Sequence, residues 1–475
     1  MSVIFEPVRL DILQGHNPSR FVELDSAELY NMYVYNNSLV PTPGFKEFNK
    51  FDFKNGVARS IFLSDSLGKI LVVYGSSVFL INDGLTFTKI GEFETLQGEV
   101  YVSENHFNQV FWSDLKDIWV YDHTDSSFSK AVTQGKSELA FTPGRIEFQD
   151  TRAICNDIAS KRFFISQINN ARTWEPLDNT VDNQIASKTV GVAVLDRQVL
   201  LMGDSITDVY YDQGLPNFPY RKANTLSHQY GCLSRSSIAV NFGRCCWLAT
   251  NKESSPVIVS TSGGHLEKIS TENIDDIIDA FSSPQDCDGY FYQVSGHIFY
   301  QLNFFTDKVS FIYDFATKLF SIVTDENSGL YPIKNSVKFN NTHYGINYND
   351  GKIYEINTRF YSNNGKIVRR RALFPTIEKP KANIECNSLV VDIGQGNNKA
   401  DEPTKFFLNI SRDRGATFAV KQMKELAPTG QRDALLDFTS LGMGRFWTFG
   451  IDIYSLGEVV IREITAWMSY DRGQG

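Results

Sequence analysis

The chain has 475 residues, of which 42% are hydrophobic, 21% charged and 13% aromatic, and its formal charge is -9. This is the make-up of a folded chain with a sizeable core, which excludes disorder or a collagen-like repeat as the default. At roughly 100–200 residues per domain it has room for two or three domains. The excess of acid argues against gripping nucleic acid through clustered Lys and Arg as the main task.

The N-terminus, Met1-Ser-Val-Ile-Phe-Glu6-Pro7, lacks the basic start and long apolar run of a secretion signal, and no stretch approaches 18 uninterrupted apolar residues. Neither a signal nor a membrane span is expected. From Ile61 onward a strand–turn–strand pattern recurs: Ile61-Phe-Leu-Ser, Lys69-Ile-Leu-Val-Val-Tyr74, Val78-Phe-Leu-Ile81. Similar units open near Val100, Arg145, Val190, Ser237, Asp288 and Ser336. The step is about 45 residues, the length of a four-stranded propeller blade. Turn pairs at Asn55-Gly56, Asp83-Gly84, Asp288-Gly289 and Asp350-Gly351 are expected to bound the strands. The fold predicted is all-β: a β-propeller of about seven blades over 61–360, with an N-terminal arm and ring-closing segment at 1–60 and a small C-terminal β-domain at 361–475. A run of sandwich strands would give a similar spacing.

One segment breaks the strand rhythm. Ile274, Ile277, Ile278 and Phe281 fall at helical spacing behind Thr271, with Asp275 and Asp276 in the first turn, so a short helix is predicted there. Past residue 360, Arg369-Arg370-Arg371, Pro375, Pro380, Pro403 and the polar run Gly394–Lys399 mark a domain boundary. Strand-like runs from Lys405, Arg445 and Glu458 then suffice for a compact sandwich or a last blade.

Few residues suggest chemistry. The six cysteines lack any Cys-x-x-Cys spacing and read as reduced, buried residues; Cys245 and Cys246 should face opposite sides of a strand. No nucleophile elbow, Walker loop, dinucleotide fingerprint or His-Glu-x-x-His occurs, and the seven His are mutually remote. No catalytic, cofactor or metal residue is assigned. Ser411-Arg-Asp413-Arg-Gly415-Ala-Thr417-Phe418 fits an Asp-box hairpin, in which Asp accepts backbone N–H bonds across the turn and Gly supplies positive φ. Arg369, Arg370 and Arg371 repel one another unless counter-charged. They are therefore candidates for a contact with an acidic partner, the plainer reading being a solvated turn.

Several segments, in order along the chain, carry a family resemblance. Asn31-Met32, Pro43-Gly44 and Gly56-Val-Ala-Arg59 come first, with Ser60 where a further Gly would stand; Arg162-Phe-Phe-Ile-Ser, Ala171-Arg-Thr-Trp174 and Asp196–Ser205 follow. Ile269–Ile278, Leu408–Gly415 and Leu441-Gly-Met-Gly-Arg445 complete the series. Together they resemble the packaged-DNA stabilisation protein, or tail hub, of short-tailed bacteriophages. The resemblance implies a structural virion protein, not an enzyme, and no cofactor. It implies a homohexameric hub or nozzle below the portal-adaptor ring, contacting a tailspike or tail fibre and a needle or plug, with double-stranded DNA passing through its lumen. The alternative, raised by the Asp box and the aromatic content, is a tail-associated propeller glycosidase or a glycan-binding module.

Overall fold

A computed structural model describes residues 5–10, 28–48, 57–82, 86–182, 184–185, 188–215, 218–251, 255–379, 382–395, 402–426 and 433–470. The expected turns at Asn55-Gly56 and Asp83-Gly84, Pro380 and the tract from Gly396 to Lys399 lie outside these residues. Strands dominate, and the chain divides into two compact units: one comprising 47–308 and 332–355, the other 1–46, 309–331 and 356–475.

The first unit is built from successive antiparallel sheets. The first holds Ala58–Ser64, Lys69–Tyr74, Ser77–Ile81 and Phe87–Glu92, and the second Tyr101–Glu104, Gln109–Ser113, Ile118–Asp122 and Ser127–Lys130. Sheets opening with Pro143–Gln149, Gly191–Leu195 and Ala239–Asn241 follow, then the hairpins Cys287–Val294 with His297–Phe304 and Ile333–Phe339 with Thr342–Asn347. The first strands touch one another in chain order, and Ile333–Phe339 returns to Ala58–Ser64. This circle of inner strands is a β-propeller.

Period-two alternation explains the circle. Val110 and Trp112 face the first sheet and pack on Leu71, Val73 and Val78. Phe111 and Val120, pointing the other way, pack on Ile146, Cys155 and Trp174 of the third sheet. Ile154 and Phe163 then meet Val199 and Leu201, while Leu200 and Met202 meet Cys245 and Trp247. Ile346 and Ile353 against Ile61 and Val72 close the series. Each large side chain buried this way contributes about 1.5–3 kcal/mol, so a sheet stripped of one neighbour would lose half of its core.

Polar residues tie the sheets as well. Arg59, buried, donates to the carbonyls of Gly98, Gly75 and Thr95 at 2.9–3.0 Å. Asp182 and Asp208 share a buried site with Lys222, whose Nζ lies 2.6 Å from Asp208 and 3.3 Å from Asp182, while Tyr210 donates to Asp182 at 2.7 Å. Burial and the neighbouring carboxyl push Asp208 up. Against the same burial, hydrogen bonds from Asp208 and Tyr210 hold Asp182 down. Lys222 supplies the positive charge that faces both carboxyls.

The predicted helix forms at Glu272–Asp279, with the Thr271 side chain accepting from the Ile274 amide and Ile274 and Ile278 buried. Cys245 and Cys246 are both buried in strand Arg244–Thr250, and only Cys245 points into the cluster around Trp247. Asp288-Gly289 is not a turn. It lies inside Cys287–Val294, where a Cβ on Gly289 would stand 2.5 Å from the Ser237 carbonyl oxygen and 2.6 Å from the Tyr300 hydroxyl. The glycine is there for close approach of two chains, a use of Gly in strands that sequence does not separate from turn formation.

The second unit is two packed sheets. In one, Met32–Tyr35, Ser38–Pro41, Val459–Tyr470, Ile384–Gln395 and Asp433–Gly444 lie in that order, and Glu6–Arg9 also pairs with Val459–Tyr470. In the other, Leu319–Ile322, Leu29–Tyr30, Val368–Leu373, Phe446–Ser455, Thr404–Ser411 and Ala419–Leu426 follow one another. Met32, Leu389, Val391, Phe438 and Ile464 of the first meet Phe406, Leu408, Trp447, Phe449 and Ile451 of the second. The expected boundaries at 60 and 360 therefore shift. Glu6–Arg9, Leu29–Tyr30 and Ser38–Pro41 pair with the C-terminal segment instead of forming an arm, because their ladder partners, such as Ala372 for Leu29 and Ile461 for Leu39, lie hundreds of residues away.

Asn31 shows what the Asn-Met pair does. With φ at 55°, it donates from Nδ2 to Thr324 Oγ1 and to the Arg369 carbonyl, both at 2.8 Å, and accepts from the Thr324 amide at 2.8 Å. Met32 beside it is fully buried.

Replacing Gly289 with Ala should lower stability by about 1–3 kcal/mol through overpacking against a backbone oxygen. A lowered urea midpoint checks this, and an unchanged one would mean that the inner strands are not packed as described.

Candidate functional site

Arg369, Arg370 and Arg371 lie in strand Val368–Leu373, not in a turn. Alternation sends Arg370 to one face and its neighbours to the other. Arg370 is only 2% exposed and donates to the carbonyls of Ser455 and Tyr361; burial lowers its guanidinium to about 10. Arg369 reaches Asp452 at 3.0 Å, Arg371 approaches the same carboxylate at 3.5 Å and lies over the Phe418 ring, and Asn409 donates to Asp452 at 3.0 Å. Asp452 thus supplies one negative charge beside Arg369 and Arg371 within the chain itself. One carboxylate offsets only part of the charge of the triplet.

Ser411, Asp413, Gly415 and Thr417 sit between strands Thr404–Ser411 and Ala419–Leu426. Ser411 Oγ donates to Asp413 at 2.6 Å and accepts from the Gly415 amide at 2.8 Å, while the Thr417 amide and hydroxyl both donate to Asp413. Gly415 has φ 95°. Hydrogen bonds from Ser411 and Thr417 hold the exposed carboxyl at about 2. The side chains of Ser411, Asp413 and Thr417 thus serve the turn.

A third constellation was not read from the sequence. The inner strands of the propeller enclose a cavity of about 630 Å³ whose lining includes Glu99, Tyr101, Arg145, Asp288, Lys334 and His343. Glu99 accepts from Tyr101 and from Ser236, and Arg145 donates to the Ile238 carbonyl at 2.7 Å and pairs with Glu147 at 2.9 Å. Burial pushes the Asp288 carboxyl up to about 6, with Lys334 opposing the shift and Glu99 adding to it. Burial likewise lowers Lys334, and Asp288 partly offsets that. The signal that could have found this site is a charged residue within or just before the first strand of successive repeats, as at Glu99, Arg145, Asp288 and Lys334. It was obscured where Asp288-Gly289 looked like a turn.

The family described as bacteriophage P22 Gp10, beta-propeller, matches residues 27–356. Among solved structures, virginiamycin B lyase from Staphylococcus aureus is similar at 11% identity, over 66% of this chain and 99% of that one, with a TM-score of 0.46. The N-terminal domain of Nup159 is similar at 12% identity, over 70% of this chain and 99% of that one, with a TM-score of 0.43. No curated protein sequence matches the chain.

Two titrations test these sites. Asp413 is depressed on folding, so its contribution is present above the ordinary carboxylate range and lost as pH falls toward about 2. Carbon-13 NMR should find it titrating there, and Ser411→Ala should move it back up. Asp288 is raised on folding from 3.8 to about 6, so its contribution is present below about pH 4 and lost as pH rises through 6. Asp288→Asn should therefore gain stability relative to the native chain between pH 4 and 7 in urea unfolding. A constant gap would contradict the burial of that carboxyl.

Proposed function

The chain belongs to the phage-stabilisation family of β-propeller proteins described by bacteriophage P22 Gp10, and from that premise we propose that it is the hub or nozzle of a virion tail. In this reading it assembles as a homohexamer below the portal-adaptor ring, retains packaged DNA and forms the ejection conduit. A tailspike or tail fibre attaches at its flank, and a needle or plug at its tip. The observation that carries the reading is the family match over 27–356, which takes in most of the propeller.

Physical features support it. A propeller whose every sheet is packed on both faces is a stiff building block, as a tube wall requires. Head-to-tail contacts related by rotation close into a ring without leaving a free end. Six copies, each at -9, would give an acidic assembly that repels the phosphate backbone, so DNA slides instead of sticking.

Negative-stain imaging of the purified protein, alone and mixed with portal and adaptor, should give a sixfold ring that docks on the adaptor. A monomer that ignores both would overturn the proposal. So would phage particles that lack this protein yet keep their DNA.

A further inference from the structure

The buried site of Asp182, Asp208 and Lys222 has no part in the proposed function. Asp208 lies in strand Thr207–Asp212, Lys222 in the neighbouring strand Tyr220–His228, and Asp182 just past the end of Asn170–Val181 in the preceding sheet. The ladder sets Tyr210 opposite Lys222, so Asp208, two residues before Tyr210, comes to the face that Lys222 occupies. The two carboxyls are 1% and 0% exposed.

Lys222 Nζ stands 2.6 Å from Oδ2 of Asp208 and 3.3 Å from both oxygens of Asp182, and it donates to Gln184 Oε1 at 2.7 Å. Yet Asp208 Oδ2 has no hydrogen-bond partner, so the nitrogen lies against this carboxyl without the alignment of a hydrogen bond. Ser227 donates to the other oxygen. A nitrogen that close to a carboxyl oxygen is also close to the carboxyl carbon.

The two carboxyls differ. Burial and the carboxyl beside it favour the neutral form of Asp208, whereas, against its own burial, hydrogen bonds from Asp208 and Tyr210 favour the charged form of Asp182. A neutral carboxyl can be attacked by an amine and lose water, and a carboxylate beside it can carry the protons. Fixed proximity in a site closed to water favours that step over its counterpart in solution. Condensation also removes an ammonium and a carboxylate from a place where both are costly to hold.

We propose that Lys222 and Asp208 condense to an isopeptide bond, with Asp182 as the proton carrier. Asp182 takes one proton from the Lys222 ammonium. The amine keeps two N–H bonds, for Gln184 and Asp182, and offers its lone pair to Cγ of Asp208. The Nζ–Cγ bond forms and the bond from Cγ to the hydroxyl of Asp208 breaks. Asp182 gives its proton to the departing hydroxyl, which leaves as water, and takes a second proton from the nitrogen. An ammonium, a neutral carboxyl and a carboxylate thus become a neutral amide, a neutral carboxyl and water.

The bond has a structural consequence. Tyr220–His228 ends its sheet and pairs only with Thr207–Asp212. End strands open first in local unfolding, and an amide to the neighbouring strand would pin this one. The reading concerns the single chain and does not depend on assembly into a hub.

Intact-mass spectrometry of the purified full chain is the test. The folded chain should be lighter than its sequence by one water, and a tryptic digest should contain one branched peptide that joins the Asp208 segment to the Lys222 segment. Lys222→Arg should restore the full mass. Asp182→Asn should slow the loss about a hundredfold, the scale of a lost proton carrier, with circular dichroism showing the fold kept. Asp208→Asn discriminates further, because condensation then expels ammonia and the deficit changes from one water to one ammonia. Full sequence mass after days in the folded state at neutral pH would overturn the proposal. A deficit that survives Lys222→Arg would also overturn it and would mark a cyclic imide at an aspartate instead. Either result leaves ring formation with the adaptor unaffected, so the two readings fall separately.

Discussion

A β-sheet with apolar side chains on both faces cannot be left with either face in water, and this chain makes such sheets repeatedly. Val110 and Trp112 on one side of a strand and Phe111 on the other commit the second sheet to two neighbours. The same holds for Val199 and Leu201 against Leu200 and Met202. The demand ends only when the last sheet meets the first, through Ile346 and Ile353 on Ile61 and Val72. Closure is thus a consequence of burial and needs no separate instruction.

Within that frame, polar residues divide into those that are satisfied and those that are not. Arg59 and Asn31 are buried with their donors matched to carbonyls and hydroxyls, and they fix chain segments that apolar packing alone would leave free to shift. Arg369, Arg371 and Asp452 form a charge cluster of the same kind. Others keep a buried side-chain atom unpaired, in the cavity lining at Ser336 and outside it at Gln149.

Family membership and architecture suit a load-bearing protein. Sheets packed on both faces at close-packed interior density have low compressibility. The second unit adds a sandwich whose strands come from both ends of the chain and from an inserted middle segment. Local unfolding of either end would open that sandwich, so the two ends are stable together or not at all.

Local information was legible. Alternating apolar runs at a step of about 45 residues were enough to predict a propeller, and the cap and spacing from Thr271 to Phe281 predicted the one α-helix seen among the described residues. The Ser411–Thr417 spacing likewise contains its own turn chemistry, because every partner lies within a few residues. What the tertiary structure decided is everything with a distant partner. Leu29 pairs with Ala372, Asp452 pairs with Arg369 and Arg371, and Gly289 is pressed against Ser237. Cavity residues on successive inner strands converge only once the sheets close into a circle. Hydrophobic period and turn propensity are short-range properties of the chain, whereas counter-charge, close approach and convergence depend on which segments the fold brings together.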